Sequence, residues 1–438
     1  MTSTLQAHPR GRDVAAVLGA AVGAAEPYTA VRRHLERSGD MLNVGVEQFD
    51  LSAIQRVFVL AIGKAALPMA RAALDVTGPH VAGGLVVPKA VDLEPTTQLG
   101  PLDVLPAGHP VPDARSLLAG RRALELARAA TGTDLLLVLL SGGGSALVTW
   151  PEGDITLDDM RLLTGLLLRS GATINEVNAL RRRCDRVKGG GLLRAAGPAP
   201  VAVLVLSDVV GDDLLSIASG PFVLQAAEQM EPRAVVERYG LHADLPDSVR
   251  RHLAHAPVDP TVVGDSSARH TIIANVDAAV HGALAEARSR GFQADLLPAQ
   301  LVGEARDAGV DMAARLVTIP EAGRPFCLVA GGETTVTLRG EGLGGRNQEL
   351  ALAAVEQLAG RDDLLLVALA TDGGDGPTDA AGAVVGGATL ACGRALGLDP
   401  RDFLRRNDAY HYFDALGDLL KPGPTQTNVN DLVLLFAF

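Results

Sequence analysis

Four short segments carry side chains suited to holding phosphate and a divalent cation. They are Lys64 in AIGKAA, Ser141 to Ser145 in LSGGGSAL, Asp208 with Asp212 and Asp213 in LSDVVGDDLL, and Arg346 to Gln348 in GEGLGGRNQEL. Phosphoryl transfer asks a protein for positioning and charge neutralisation more than for covalent chemistry, and cations, glycine cradles and carboxylates are the parts it needs. The guanidinium of Arg346 is a fork matched to phosphate or carboxylate. Four glycines ahead of it permit a close backbone approach, and Arg346, Asn347 and Gln348 fall in the predicted first turn of a helix, where free N–H groups favour an anion. The plainer reading is a flexible loop and an ordinary cap.

The other segments also have two readings. The Gly142-Gly143-Gly144 run has the strand–turn–helix setting of a phosphate cradle, but lacks the GK[ST] of a Walker loop and the third glycine of a dinucleotide fingerprint, so a tight turn is the alternative. Lys64 follows its strand directly and is either a cation over the sheet edge or a surface lysine. Lys188, in RVKGGGLL, stands beside the one dense positive cluster, Arg181, Arg182, Arg183 and Arg186, most of which reads as a solvated helix face. The acids at 208, 212 and 213, with Asp372, Asp375 and Asp379 in TDGGDGPTD, offer the oxygen ligands that Mg²⁺ takes together with substrate phosphates. Asx turns and helix caps are the alternative. His109, in GHPVPD, reads as structural, and no HxH or HExxH pair occurs.

These groups are positioned by a repeated grammar: an apolar run ends and a Gly- or Asp-rich turn follows at once. RVFVLAIGK, DLLLVLLSGGG, VAVLVLSD, FCLVAGGE and LLLVALATDGG all obey it. Near-continuous apolar strands alternating with helical patterns at 114–130 and 272–290 predict parallel sheets covered on both faces, with ligands outside the carboxyl ends of the strands. A chain of 438 residues predicts two domains, and 47% hydrophobic but only 3% aromatic residues favours α/β over a β-sandwich. A Pro- and His-rich stretch at 224–263 marks the expected junction, and residues 1–12 are expected to fray.

Formal charge of −12 without any Lys/Arg block leaves no electrostatic footprint for nucleic acid or an anionic membrane. Three scattered cysteines without CxxC spacing suit a reducing compartment. No apolar run reaches the roughly 20 residues that cross a bilayer. The start, RGRDVAAVLGAAVGAAEP, imitates a signal peptide, but Asp13 and the following PYTAVRRHLE read better as a helix cap and a second helix, so a cytoplasmic protein is expected.

Seven motifs in order, SGGGSAL, KGG, LSDVVGDDLLSIASGP, GGETTVT, GLGGRNQELAL, ATDGGDGPTDAAGA and GPTQTNVNDL, resemble the glycerate 2-kinase family, with an N-terminal glycerate kinase domain and a C-terminal MOFRL domain. The resemblance runs from about Val14 to the C-terminus. It implies a Rossmann-like doubly wound domain at 1–245 and a smaller α/β MOFRL domain at 246–438, with the site in the cleft between them. It also implies an ATP- and Mg²⁺-dependent kinase acting on the 2-hydroxyl of D-glycerate, with a homodimer as the candidate assembly. Lys64 and Arg346 match the family's key cations. Asp208 is assigned as the catalytic carboxylate that takes the hydroxyl proton, and Asp208 or Asp213 as the metal ligand. Ser141, Gly142, Gly143, Gly144, Ser145, Lys188, Glu333 and Asn347 are assigned to substrate or phosphate. Arg183 and Asp185 stand where the family usually has histidine and serine, and Pro422 and Gln426 where it has threonine and glycine. A related hydroxy acid as acceptor, or hydroxypyruvate reductase activity, is the alternative.

Overall fold

The computed structural model describes residues 1–90, 98–224, 231–255 and 268–438. Two compact units result: Pro27–Ile273, and Ala274–Phe438 together with Met1–Glu26. The division differs from the expected boundary after residue 245. Part of the stretch expected to mark the junction, 225–230 and 256–263, lies outside the described residues, and its described parts form helices Pro232–Arg238 and Asp247–His255.

In the unit Pro27–Ile273, a small antiparallel sheet of β1 (Leu35–Ser38), β2 (Met41–Val44) and β3 (Glu47–Asp50) accompanies a seven-stranded sheet. The large sheet is built from β4 (Arg56–Ile62), β5 (Val81–Val87), β6 (Gln98–Leu99), β7 (Leu102–Val104), β8 (Asp134–Leu140), β9 (Val201–Leu206) and β10 (Ala268–Ala274), in the order β10-β9-β8-β4-β5-β7-β6. Strands β9, β8, β4, β5 and β7 run parallel. β8 and β9 are buried along their whole length, which is why they read as unbroken apolar runs. Alternate residues Phe58, Leu60, Ile62, Leu136, Val138 and Leu140 share one core with Ala119, Ala123 and Ala127 of the helix Ala114–Ala129. The helix Ala66–Thr77, which buries Met69, Ala70 and Ala73, packs against β4 and β5. From β4 the chain first builds outward through β5 and β7, then returns to β8 on the other side of β4. The β4/β8 boundary is therefore a topological switch point.

The other unit holds a six-stranded sheet of β11 (Gln293–Leu296), β12 (Phe326–Gly332), β13 (Leu364–Ala370), β14 (Gly382–Gly386), β15 (Leu419–Leu420) and β16 (Asp431–Ala437), ordered β11-β12-β16-β13-β14-β15. Only β11 and β12 are parallel; the other four pairings are antiparallel. This corrects the expectation of parallel sheets throughout. A strand buried on both faces is apolar throughout whichever way its neighbour runs, so composition carries no direction.

Helices Ala305–Val317 and Arg346–Ala354 cover one face, packing Met312, Leu316, Leu350 and Ala351 on Leu364, Leu366, Val433 and Leu435. The helix Val276–Ser289 packs on β12 and on the N-terminal helix Gly11–Ala24. That N-terminal helix buries Val14, Val17, Leu18 and Ala21, each of the larger side chains worth about 1.5–3 kcal/mol. This burial joins the first 26 residues to the C-terminal unit. The expected fraying of 1–12 is not found: Thr2 caps the helix Ser3–Ala7, and Thr4 bonds Asp418 through both its N–H and its hydroxyl, at 2.7 Å each. Among the described residues no single helix is long and apolar enough to cross a membrane.

Candidate active site

In the unit Pro27–Ile273, register brings three turns side by side. Ile62 pairs with Leu140 and Leu140 with Val205, so Gly63-Lys64, Ser141 to Gly144 and Ser207-Asp208 leave adjacent strand ends. The Lys64 N–H donates to the Gly142 carbonyl at 2.9 Å, and the Ser141 N–H to the Ile62 carbonyl at 2.9 Å. Lys64 and Asp208 are both half-buried.

The glycines of the middle turn are required by close approach. A Cβ on Gly142 would lie 1.8 Å from Asp208 Oδ2 and 2.4 Å from its Cγ. Gly143 has φ +88°, and a Cβ there would lie 3.0 Å from His109 Cδ2, 3.1 Å from His109 Nε2 and 3.5 Å from Lys64 Cγ. Lys64, Asp208 and His109 therefore surround one glycine turn. His109, read from sequence as structural, borders the same turn as Lys64, a placement that sequence reasoning missed. Its loop arrives from β7, four strands from β9 in the sheet, and no local pattern signals that arrival.

Several assigned residues face inward instead. The buried Ser141 hydroxyl accepts from the Ala65 N–H at 3.0 Å, holding the turn that carries Lys64. Ser145 bonds the Ser219 hydroxyl at 2.7 Å. Lys188, assigned to phosphate, is 2% exposed; its ammonium sits 2.5 Å from Asp185 Oδ2 and donates to the Val148 carbonyl at 3.1 Å. Asp185 also accepts from the Thr149 hydroxyl and from the N–H groups of Trp150 and Val187. Burial pulls the Lys188 pKa down, and the Asp185 carboxylate opposes that pull. The Asp185 departure from the family pattern thus supplies the charge partner of a buried lysine. Asp213, assigned to metal, accepts from the Leu215 N–H at 3.1 Å and the Ser216 hydroxyl at 2.6 Å, an Asx-type turn.

In the other unit, the helix N-terminus expected to hold a ligand anion already holds a carboxylate of the chain. Asp375, from the TDGGDG segment, accepts from the Asn347 N–H at 3.2 Å and the Gln348 N–H at 2.8 Å, and from the Asn347 side chain at 3.3 Å. Burial pushes its pKa up to about 7; the two N–H groups oppose this and the nearby Asp431 charge adds to it. Asn347 is buried, so its assignment to substrate is not matched by an exposed amide.

The glycine-rich loop serves packing. A Cβ on Gly340 would lie 2.5 Å from the Arg406 carbonyl, on Gly342 2.5 Å from Asp408 Cβ, and on Gly345 2.2 Å from Asp375 Cγ. Asn407 clasps the loop, accepting from the N–H groups of Arg339 at 2.6 Å and Gly340 at 3.0 Å.

Arg346 is a fork, but its first carboxylate is Asp431: Nε to Oδ2 is 2.5 Å and Nη2 to Oδ1 is 3.1 Å. Nη1 bonds Glu333 Oε1 at 2.5 Å, while Glu333 Oε2 accepts from the Asn430 side chain at 3.3 Å. Burial disfavours the Arg346 charge, but Asp431 and then Glu333 outweigh it and raise its pKa above the usual range. Of the five guanidinium N–H groups, these bonds leave one on each terminal nitrogen. The side chain is 32% exposed, so those two can meet a ligand carboxylate or phosphate.

Among the described residues no cluster of three or more His, Cys, Asp or Glu could hold a metal unaided. Mg²⁺ in phosphate chemistry needs only one or two carboxylates beside substrate phosphates and water. Asp208 over the glycine turn fits that requirement, while Asp213 accepts the bonds of its own turn, and Asp375 and Asp431 are occupied with the helix end and Arg346.

Residues 13–254 match a family described as a domain of unknown function, DUF4147, and residues 326–431 match the MOFRL family. The chain is 40% identical over 427 residues to the glycerate 2-kinase of Pyrococcus horikoshii, covering 95% of each chain. It is 41% identical over 388 residues to the D-glycerate 2-kinase of Thermotoga maritima, covering 87% of this chain and 90% of the relative. The crystal structure of glycerate kinase from Thermotoga maritima aligns with a TM-score of 0.84 at 37% identity, covering 98% of this chain and 99% of the other. With DUF4147 and MOFRL regions in sequence and relatives of that identity along nearly its whole length, the chain belongs to the glycerate kinase family.

Proposed function

We propose that the chain is an ATP- and Mg²⁺-dependent kinase that transfers the γ-phosphoryl group to the 2-hydroxyl of D-glycerate, giving 2-phospho-D-glycerate and ADP. The observation that carries this reading is the convergence of Lys64 and Asp208 on the Gly142-Gly143 turn at the carboxyl ends of β4, β8 and β9. A cation and a carboxylate around a glycine turn at strand ends suit a polyphosphate.

In this reading Lys64 neutralises the phosphoryl group in flight, and Arg346 uses its two remaining N–H groups on the glycerate carboxylate. Asp431 fixes the plane of that guanidinium. Asp208 would hold Mg²⁺, which when bound supplies charge neutralisation across the β- and γ-phosphates. Because the transition state is loose, the hydroxyl proton leaves late, and positioning contributes more than a strong base.

The test is ADP release with Mg·ATP against D-glycerate, L-glycerate and other small hydroxy acids, with phosphorus NMR identifying the phosphorylated carbon. The reading expects C2 phosphorylation of D-glycerate, reduced at least about a hundredfold in Lys64→Ala and Arg346→Ala. Asp208→Asn should raise the Mg²⁺ concentration needed for half-maximal rate. Absence of ADP release with every acceptor would end the kinase reading, and NAD(P)H consumption with hydroxypyruvate would replace it with a reductase.

A further inference from the structure

We propose that His109 is a phosphate-binding residue of the Lys64 site, its Nε2 donating a hydrogen bond to an oxygen of the triphosphate that lies on the Gly142-Gly143 turn. The inference deepens the kinase reading above and rests on it. Three observations carry it.

The first is proximity. The Cδ2–Nε2 edge of the ring is the edge turned toward Gly143, with Nε2 3.1 Å from where a Cβ would stand, and the Lys64 stem borders the same point at 3.5 Å. An anion seated on that turn meets both side chains. The second is that the loop carrying the ring is fixed to the sheet. Ala107 forms a parallel bridge with Lys89, its N–H donating to the Pro88 carbonyl at 3.0 Å while its carbonyl accepts from Ala90 at 2.9 Å. The segment therefore extends the β5/β7 ladder to within two residues of His109. The third is the other end of the segment, where Asp113 caps the helix Ala114–Ala129 through a capping box with Ser116. A histidine only four residues from a capped helix, on a loop bonded to the neighbouring strand's extension, is held where it stands before any ligand arrives. Preorganised donors of this kind stabilise charge without reorganisation during the reaction.

The Lys64 stem borders the same glycine as the ring, and the Asp208 carboxylate borders the adjoining Gly142. A histidine donor and a lysine on one glycine, with a carboxylate that would hold Mg²⁺ on the next, suit a phosphate chain laid along the turn.

The experiment uses the full chain and two variants, His109→Ala and His109→Gln, and measures the affinities of ATP and AMP by calorimetry alongside kcat and KM for D-glycerate. ATP should bind at least tenfold more weakly to His109→Ala, with AMP affinity within twofold of the parent and kcat at least tenfold lower. His109→Gln, which keeps an N–H donor, should recover much of both. A purely structural role would weaken ATP and AMP alike and would gain nothing from glutamine, and that result overturns the proposal. Parent-like ATP affinity and kcat in His109→Ala overturns it equally. Failure of the kinase reading is seen separately, as absence of ADP release by the parent chain.

Discussion

A single methyl group at Gly142 tests the geometry of the site most directly. The Cβ of Gly142→Ala would stand 1.8 Å from Asp208 Oδ2, 2.4 Å from Cγ and 2.9 Å from Oδ1. To regain an ordinary contact of 3.4 Å, the carboxylate must retreat by about 1.6 Å. Gly142 lies outside the positive-φ set, so alanine brings no backbone strain of that kind, and the half-buried Asp208 side chain can rotate away. The cost to folding should therefore sit at the low end of overpacking, about 1 kcal/mol. The cost to catalysis should be larger: a displacement of about 1 Å in a reacting group is worth roughly a hundredfold, or about 2.7 kcal/mol of barrier.

The assay is ADP release with D-glycerate, read as kcat and KM, beside urea unfolding. Gly23→Ala serves as the control, since nothing lies within 4 Å of its Cβ in the helix Gly11–Ala24. It should gain about 0.5–1 kcal/mol with unchanged activity. The decisive arm is the double variant. If the methyl acts by moving Asp208, then Gly142→Ala should slow an Asp208→Ala background little or not at all, because the group it displaces is gone. Undiminished activity in Gly142→Ala, or a second hundredfold loss on top of Asp208→Ala, would refute the reasoning.

Three other outcomes follow from buried or strained groups. Asp185→Asn leaves the Lys188 ammonium buried without its charge partner and should cost about 3–5 kcal/mol in urea unfolding, whereas Lys188→Met should cost less because Asp185 keeps three other donors, and it should leave the KM for ATP unchanged. Asp375 has a folded pKa raised to about 7 from an unfolded value near 3.8, so the native state binds the extra proton and stability falls as pH rises from about 4 to about 7. That slope should be shallower in Asp375→Asn when unfolding is followed from pH 4.5 to 7.5. Gln426 holds φ +63°, so Gln426→Gly exchanges about 1–2 kcal/mol of left-handed strain for about 0.5–1 kcal/mol of chain entropy and should raise Tm slightly.

What the sequence by itself determined is the frame and its polar edge. Unbroken apolar runs such as 135–140 and 201–206, too short for helices and followed at once by Gly- or Asp-rich turns, read as strands covered on both faces, and Lys64 and Asp208, coming just after such runs, are placed at strand ends. The seven motifs added the family, which the relatives bear out.

What only the tertiary structure decided is which polar groups stay open to a ligand. Arg346 looked free in sequence, yet its partner Asp431 is 85 positions away; the helix N-terminus looked vacant, yet Asp375 reaches it from 27 positions on. The glycines at 340, 342 and 345 accommodate the chain's own 406–408 and 375 segments. Lys188 and Ser141 are satisfied inside the fold, while His109, which sequence treated as a turn residue, reaches the glycine that Lys64 borders through a loop from another strand. The physical reason is common to all of them. A strand or a helix is chosen by neighbours along the chain, through burial that recurs at a fixed period. A carboxylate, amide or ammonium chooses among partners that only the packing of distant segments brings within 3 Å, and no local pattern in the sequence encodes that choice.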